Sequence, residues 1–393
     1  MKWEVKKLGE VCDFYNGKAH EKSIDENGKY KVVNSKFVSS NGISAKRTDK
    51  AQFPLFTGDI VMVMSDVPNG KTLAKCFLID QDDTYSLNQR VCAIRTNNFD
   101  KKFLYYQLNR NQYFLKFNNG ENQTNLRKGD ILDCPLLIPP IEEQKRIVKI
   151  LDKSLSDLDQ AKANTEQNLK NAKELFESYL QGVFENKGDD WEEKTILELC
   201  DYKSQIVGGP FGSNLKVSDY KESGIPILRL QNIGKGYFID KDIKYVSKEK
   251  AEELAYHSFK SGDIVLAKLG IPIGKTCIVP NDFEYGIVVA DVVRIRPNGE
   301  SINYNFLCYF LNSDNAVNQL SIGIKGATRP RVNIAEVRNL KLNVPPLETQ
   351  KQIVQKLDAL QAETKKLEAI YQKKIEDLEE LKKSVLQKAL ALV

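Results

Sequence analysis

Two long stretches of the chain keep apolar residues at an alternating spacing of three and four. The first runs from Ile141 to Gln181 without glycine or proline. Its seam is Val148, Leu151, Leu155, Leu158, Lys162, Thr165, Leu169, Ala172, Phe176, Tyr179 and Val183, apolar at nine of eleven positions. The second runs from Leu347 onward, with Ile353, Leu357, Leu360, Thr364, Leu367, Tyr371, Lys374, Leu378, Leu381, Val385, Lys388 and Leu392, apolar at nine of twelve. So narrow a stripe predicts coiled-coil helices, each roughly 60 to 70 Å long at 1.5 Å per residue. Pro140 suits a first helical turn, where its missing N–H costs nothing, and Glu142 and Glu143 favour the positive end of the helix dipole. Elsewhere the apolar runs are short. IVMVM at 60–64, VCAIR at 91–95, IVLAK at 264–268 and VVRIR at 292–296 are β-branched and bounded by turn residues, which predicts strands. FLYYQLN at 103–109 and FLCYFLN at 306–312 suit short amphipathic helices.

These elements occur in pairs because the chain repeats itself. PPIEEQKRIVKILD at 139–152 returns as PPLETQKQIVQKLD at 345–358, a shift of 206 positions with nine of fourteen residues identical. WEVKKLGEVCD at 3–13 returns as WEEKTILELCD at 191–201, TGDIVMV at 57–63 as SGDIVLA at 261–267, and GKT at 70–72 as GKT at 274–276. Two copies of one unit therefore lie head to tail, each a mixed α/β globular part followed by a long helix. Packed on each other, the two seams would bury a continuous strip, giving a rod with a globular domain at each end. Such an object is a caliper, suited to two marks at fixed spacing.

Composition narrows the classes of function. Apolar residues make up 41% and charged residues 28%, a soluble globular profile. No apolar run approaches the roughly 20 residues of a membrane span, and the start MKWEVKKLGE lacks a signal-peptide core. The seven cysteines are scattered and never in CxxC spacing, which suits reduced thiols in a cytoplasm and argues against a zinc site. With only His20 and His257, a histidine metal centre or a Ser-His-Asp triad is not expected. The net charge is +5, and its excess lies mainly in residues 1–138, with 21 Lys/Arg against 16 Asp/Glu. That alone is weak support for a nucleic-acid partner.

The duplicated GKT invites a phosphate-loop reading, which the spacing rejects. A glycine is needed five residues earlier, but Ser65 and Leu269 stand there, and Pro68 and Pro272 interrupt the loop. A turn between two strands is the better expectation. Asp13/Asp201 and Asp59/Asp263 recur as candidate carboxylate pairs, yet Asp59 and Asp263 follow glycine and precede strands, where aspartate commonly bonds turn amides. No NPPY-like methyl-transfer motif occurs. What remains is chemistry for reading polar edges: NGENQTNLRKGD at 119–130 and KGATRPRVN at 325–333 occupy corresponding places before the strand that leads into each PP. Asn, Gln and Arg can pair bidentately with base edges, while Lys and Thr suit phosphates.

The double PPxExQKxIVxxLD, the domain openings WEVKKLGEVCD and WEEKTILELCD, YKVVNSKFVSSNG at 30–42 and GGPFGSNLKVSDYKESGIPILRLQNI at 208–233 resemble the specificity subunits of type I restriction-modification systems. The resemblance covers essentially the whole chain. It implies an α+β protein: two mixed α/β target-recognition domains, 1–138 and 188–344, separated by two long antiparallel coiled-coil spacer helices, 139–187 and 345–393, with a pseudo-two-fold internal repeat. It implies a non-catalytic reader of a bipartite, asymmetric site on double-stranded DNA. The partners implied are two methyltransferase subunits and the restriction/translocase subunits, with S-adenosylmethionine, ATP and Mg2+ on those partners and no cofactor here. Carried over by position, the DNA-reading residues are Asn122, Gln123, Thr124, Asn125, Arg127 and Lys128 in the first domain. In the second they are Lys325, Thr328, Arg329, Arg331 and Asn333, with Ser213, Asn214 and Lys216 from GPFGSNLK. The second domain has TRPRVN in place of QTNL, so the two half-sites should differ. Apolar residues off the seams, Ile147, Ile150, Val354, Ile370, Ile375 and Leu386, are expected to dock the methyltransferase subunits. A coiled-coil scaffold joining two protein-binding domains is the alternative, and it predicts no salt-sensitive DNA binding.

Overall fold

The computed structural model describes residues 3–68, 70–210, 212–322 and 331–390. It divides into two compact units, one of residues 1–165 with 374–393 and the other of 166–373. Each unit takes one globular half, part of the long helix that follows it, and part of the other long helix.

In the first unit a four-stranded antiparallel sheet has the order Asp13–Asn16, Val91–Arg95, Ile60–Val63, Cys76–Leu78. A second sheet sets Tyr30–Val33 between Lys46–Thr48 and, in parallel, Tyr85–Leu87. The second unit repeats the first sheet as Ile206–Gly208, Val292–Ile295, Ile264–Ala267, Thr276–Ile278. Its other sheet has four strands, in the order Lys244–Val246, Ile225–Leu228, Tyr285–Val288 and Ser258–Lys260. The apolar runs thus become central strands. Ile60–Val63 and Ile264–Ala267 are buried on both faces, which is why they read as continuous apolar rather than alternating.

The short amphipathic helices are Lys101–Leu108, capped by Asp100, and Tyr304–Leu311, capped by Asn303. Each lies between a sheet and the long helices. In the first unit Phe103, Leu104 and Leu108 share a core with Ile147, Val148 and Leu151 of the first long helix, and Val385, Leu386, Ala389 and Leu390 of the second pack against it. In the second unit Phe306 and Phe310 share a core with Val354 and Leu357 of the second long helix and Leu180 and Phe184 of the first. The Phe184 ring stands 5.3 Å from that of Phe306 and 5.4 Å from that of Phe310.

The long helices span Ile141–Glu185 and Leu347–Leu390. Within the first unit they run antiparallel: Lys162 pairs with Glu379 and Asp159 with Lys382, so partner numbers fall as helix numbers rise. The expected seams hold at first and then slip by one residue. Tyr179 is exposed and Leu180 takes its buried place. Beyond Thr364, Leu367, Lys374, Leu381 and Lys388 are exposed, while Tyr371, Ile375, Leu378 and Val385 are half-buried. The cause is geometric. A straight helix turns once in 3.6 residues, so a strict 3.5-residue stripe drifts by about 20° per heptad until the adjacent residue takes it over. Leu392 falls outside the described residues.

Candidate nucleic-acid interface

In both units the polar loop is fixed by one backbone hydrogen bond to the end of a central strand. The Leu126 N–H donates to the Met64 carbonyl at 2.7 Å, and the Val332 N–H to the Lys268 carbonyl at 3.0 Å. Around the first of these, Thr124–Asn125 pairs antiparallel with Ser65–Asp66. Around the second, Arg331 forms an antiparallel bridge with Leu269. The two loops, so different in wording, occupy equivalent places in the two copies.

The first loop presents Asn122, Gln123, Asn125, Arg127 and Lys128 to solvent, while Thr124 is buried. Asn122 to Asn125 and Arg127 line a shallow concavity with Phe117, Asn119 and Asp130. The Asp130 carboxylate accepts the Arg127 N–H at 2.8 Å, which turns the chain into the short helix Lys128–Leu132. The Lys128 ammonium lies 5.7 Å from the centre of the Phe14 ring.

In the second unit Arg331 is ion-paired with Asp291 at 2.7 Å. Asn333 is exposed, but its side-chain oxygen accepts the Glu336 N–H at 2.9 Å while Glu336 accepts the Asn333 N–H at 2.8 Å. That reciprocal pair caps the helix Ile334–Arg338, so for the oxygen of Asn333 the expectation of base reading is corrected to a cap. Asn214 and Lys216 are exposed in the turns that follow Gly208. Lys325, Thr328 and Arg329 lie outside the described residues, as does the side chain of Ser213.

Three residues at these places escape a sequence reading. The Met64 N–H donates to the Arg90 carbonyl and the Lys268 N–H to that of Asp291, so Arg90 and Asp291 are equivalent neighbours of the two loops. Arg90 is exposed at φ +69°. Lys268 is buried, which pushes its pKa down; Arg331 adds to the effect and Asp291 opposes it. A β-carbon on Gly208 would stand 3.5 Å from the Lys268 ammonium nitrogen, so the glycine loop and Arg331 converge on one lysine. The repeat aligns Arg90 with Asp291, yet only the strand ladder reveals their proximity to the loops.

Of the recurring carboxylates, Asp59 and Asp263 are structural. Asp59 accepts the Phe56 N–H and pairs with Arg95, and Asp263 accepts the Lys260 N–H and pairs with Arg296. In the GKT turn the Asp66 carboxylate takes the amides of Val67, Thr72 and Leu73, at 2.6 to 3.0 Å. Amides that a phosphate would need are bonded to a side chain. Among the described residues no cluster of His, Cys, Asp and Glu could hold a metal ion, and no helix is long and apolar enough to cross a membrane.

The expected docking residues separate by burial. Ile147 and Val354 are 5% and 7% exposed and belong to the cores; Leu386 packs against the first core and Ile375 lies on the slipped seam. For these four the expectation of a free apolar face is corrected: Ile147, Val354 and Leu386 pack on the cores of the globular parts, and only Ile375 follows the drift of the stripe. Ile150 and Ile370 are 51% and 58% exposed.

The model of the type I restriction modification DNA specificity domain matches residues 1–171 and again 188–377. The chain is 26% identical to the type I restriction enzyme MjaVIII specificity subunit of Methanocaldococcus jannaschii, covering 98% of this chain and 91% of that one. It is 26% identical to the EcoBI specificity subunit of Escherichia coli, over 77% of this chain and 68% of the other. The fold matches a chain in a solved type I R-M system at a TM-score of 0.76 and 18% identity, covering 99% and 97% of the two chains. It matches the HsdS subunit of Thermoanaerobacter tengcongensis at 0.64 and 19% identity, covering 99% and 96%. With a match in each of its two copies, the chain belongs to the type I restriction modification DNA specificity family, as a specificity subunit without catalysis of its own.

Proposed function

We propose that this chain reads a bipartite, asymmetric site on double-stranded DNA, one half-site through each domain, and directs methyltransferase and restriction subunits to it. The observation that carries this reading is the equivalent pair of loop anchors, Leu126 to Met64 and Val332 to Lys268. One scaffold holds two different sets of side chains: Asn122, Gln123, Asn125 and Arg127 in one copy, Arg331 beside Asp291 and Lys268 in the other. Amides and guanidinium groups in such loops suit base edges, and different sets call for different half-sites. Lys128, Asn214 and Lys216, exposed cations and amides at the margins, suit phosphates. Lys325, Thr328 and Arg329 remain part of the reading by position alone. Methyl transfer and ATP-driven steps, with S-adenosylmethionine, ATP and Mg2+, belong to the partner subunits. Ile150 and Ile370 are the docking candidates that keep an exposed apolar surface.

The test uses the chain assembled with its methyltransferase subunits. Replacing Asn125 or Arg127 by Ala should weaken binding by about 1 to 3 kcal/mol per base contact, with relaxed preference confined to one half-site. A uniform loss on every duplex, with a shallower salt slope, would make these phosphate contacts instead. Absence of any salt-sensitive DNA binding would favour the protein scaffold.

A further inference from the structure

The duplicated GKT turn has no part in the reading above, yet each copy lifts one aliphatic side chain into solvent. Val67 is 63% exposed in the first unit and Ile271 is 84% exposed in the second. They are equivalent residues, 204 positions apart, and each precedes a proline. Hydrogen bonds flank each of the two residues. In the first, Asp66 gathers three amides and the Gly70 N–H donates to the Val67 carbonyl at 2.9 Å. In the second, the Gly274 N–H donates to the Ala267 carbonyl at 3.2 Å and the Thr276 hydroxyl to the Gly274 carbonyl at 2.8 Å. Single exposed aliphatics are ordinary on a protein surface. One at the same place in both copies is a presented group.

What it is presented to follows from its neighbours. Val67 adjoins Asp66, whose strand partner is Thr124 of the first polar loop. Ile271 lies two residues from Leu269, which bridges Arg331 of the second. In each unit an exposed branched aliphatic residue therefore lies one or two residues along the chain from the backbone partner of the polar loop. The apolar feature that the major groove offers is the C5-methyl group of thymine. We propose that Val67 and Ile271 are base-reading residues, each packing on a thymine methyl group in the half-site of its own domain. This inference rests on the DNA-reading function proposed above.

The experiment takes the full chain with its methyltransferase subunits and a duplex bearing the mapped site. Each thymine is replaced in turn by deoxyuridine, which removes only the methyl group. The expected loss is about fourfold in affinity at one thymine of each half-site, the size of burying one methyl-sized group. Val67→Ala should remove that sensitivity in the first half-site alone, and Ile271→Ala in the second alone. Both side chains are on the surface, and an unchanged circular dichroism spectrum checks that each variant is folded. Equal deoxyuridine sensitivity in wild type and both variants would overturn the proposal. So would loss of methyltransferase co-purification by either variant without DNA, because the tip would then be a protein contact. A wild-type complex that prefers no duplex sequence brings down the underlying reading as well, which separates the two failures.

Discussion

The side-chain oxygen of Gln144 accepts the backbone N–H of Asp100 at 2.8 Å. Its amide nitrogen donates to the Pro139 carbonyl at 2.8 Å. Gln350 repeats the arrangement with Asn303 at 2.7 Å and Pro345 at 2.8 Å. Both glutamines are almost wholly buried. The repeated PPxExQ is thus a joint, tying the start of each long helix to the capping residue of the short helix in its own domain. Gln350→Leu leaves a buried N–H without its acceptor, at a cost of about 1 to 3 kcal/mol. Denaturant unfolding of the full chain should show that loss, and an unchanged midpoint would show that the joint is dispensable.

The aspartate that ends each motif makes a second tie. The Tyr106 hydroxyl donates to Asp152 at 2.5 Å and the Tyr309 hydroxyl to Asp358 at 2.5 Å. Burial, then Asp152, pushes the Tyr106 pKa up from its ordinary value near 10. Burial resists ionisation of Asp152, but Lys102 and Tyr106 outweigh it and hold the carboxyl below its usual range. The raised phenol contributes stability below about pH 10 that is lost as pH rises through the folded value. The depressed carboxylate contributes above about pH 4 and loses its share as pH falls through the folded value. Tyr106→Phe should therefore cost about 1 kcal/mol near neutrality, with the difference from wild type shrinking at both extremes of pH. A difference that is flat from pH 3 to pH 11 would count against the tie.

Five of the seven cysteines are buried, and Cys12 and Cys200 are half-buried. Burial pushes Cys12 and Cys200, at equivalent positions, up to about 11, and Cys92, Cys134 and Cys308 up to about 12. Cys76 and Cys277 are also raised by burial. At pH 8 a thiol of pKa 11 is ionised only about one part in a thousand. Iodoacetamide at pH 8 should label the native chain slowly and all seven sites quickly in denaturant. Rapid labelling of one native cysteine would show that its thiol is open to solvent.

The end of the second long helix stabilises the first unit, since Val385, Leu386, Ala389 and Leu390 pack on its core. Leu386→Ala should cost about 2 kcal/mol there. Hydrogen exchange should then quicken in 101–108 and 141–151 more than in 304–311. Equal change in both segments would contradict the assignment.

Most of the fold was legible because duplication checked each element twice. The two joints, the central strands and the short helices all stand in lines of sequence that repeat. The helix faces were less legible. A stripe drawn at a strict spacing of 3.5 misplaces Tyr179, Leu367 and Leu381, and it leaves Ile147, Ile375 and Val354 looking free when packing claims them. The reading loops were located but not resolved into roles. Asn333 looks like a base reader until its capping bond is seen, and Arg90 and Lys268 acquire meaning only from long-range strand pairing.

Mapping methylated bases across a genome tests the central claim most directly. Cells carrying the methyltransferase subunits with this chain should be compared with cells lacking the chain. The expected result is one motif with two unlike halves and a fixed gap, present only with the chain and altered in one half alone by changes at Asn125 and Arg127. The same methylated motif with and without the chain would contradict the claim that this chain sets the DNA sequence.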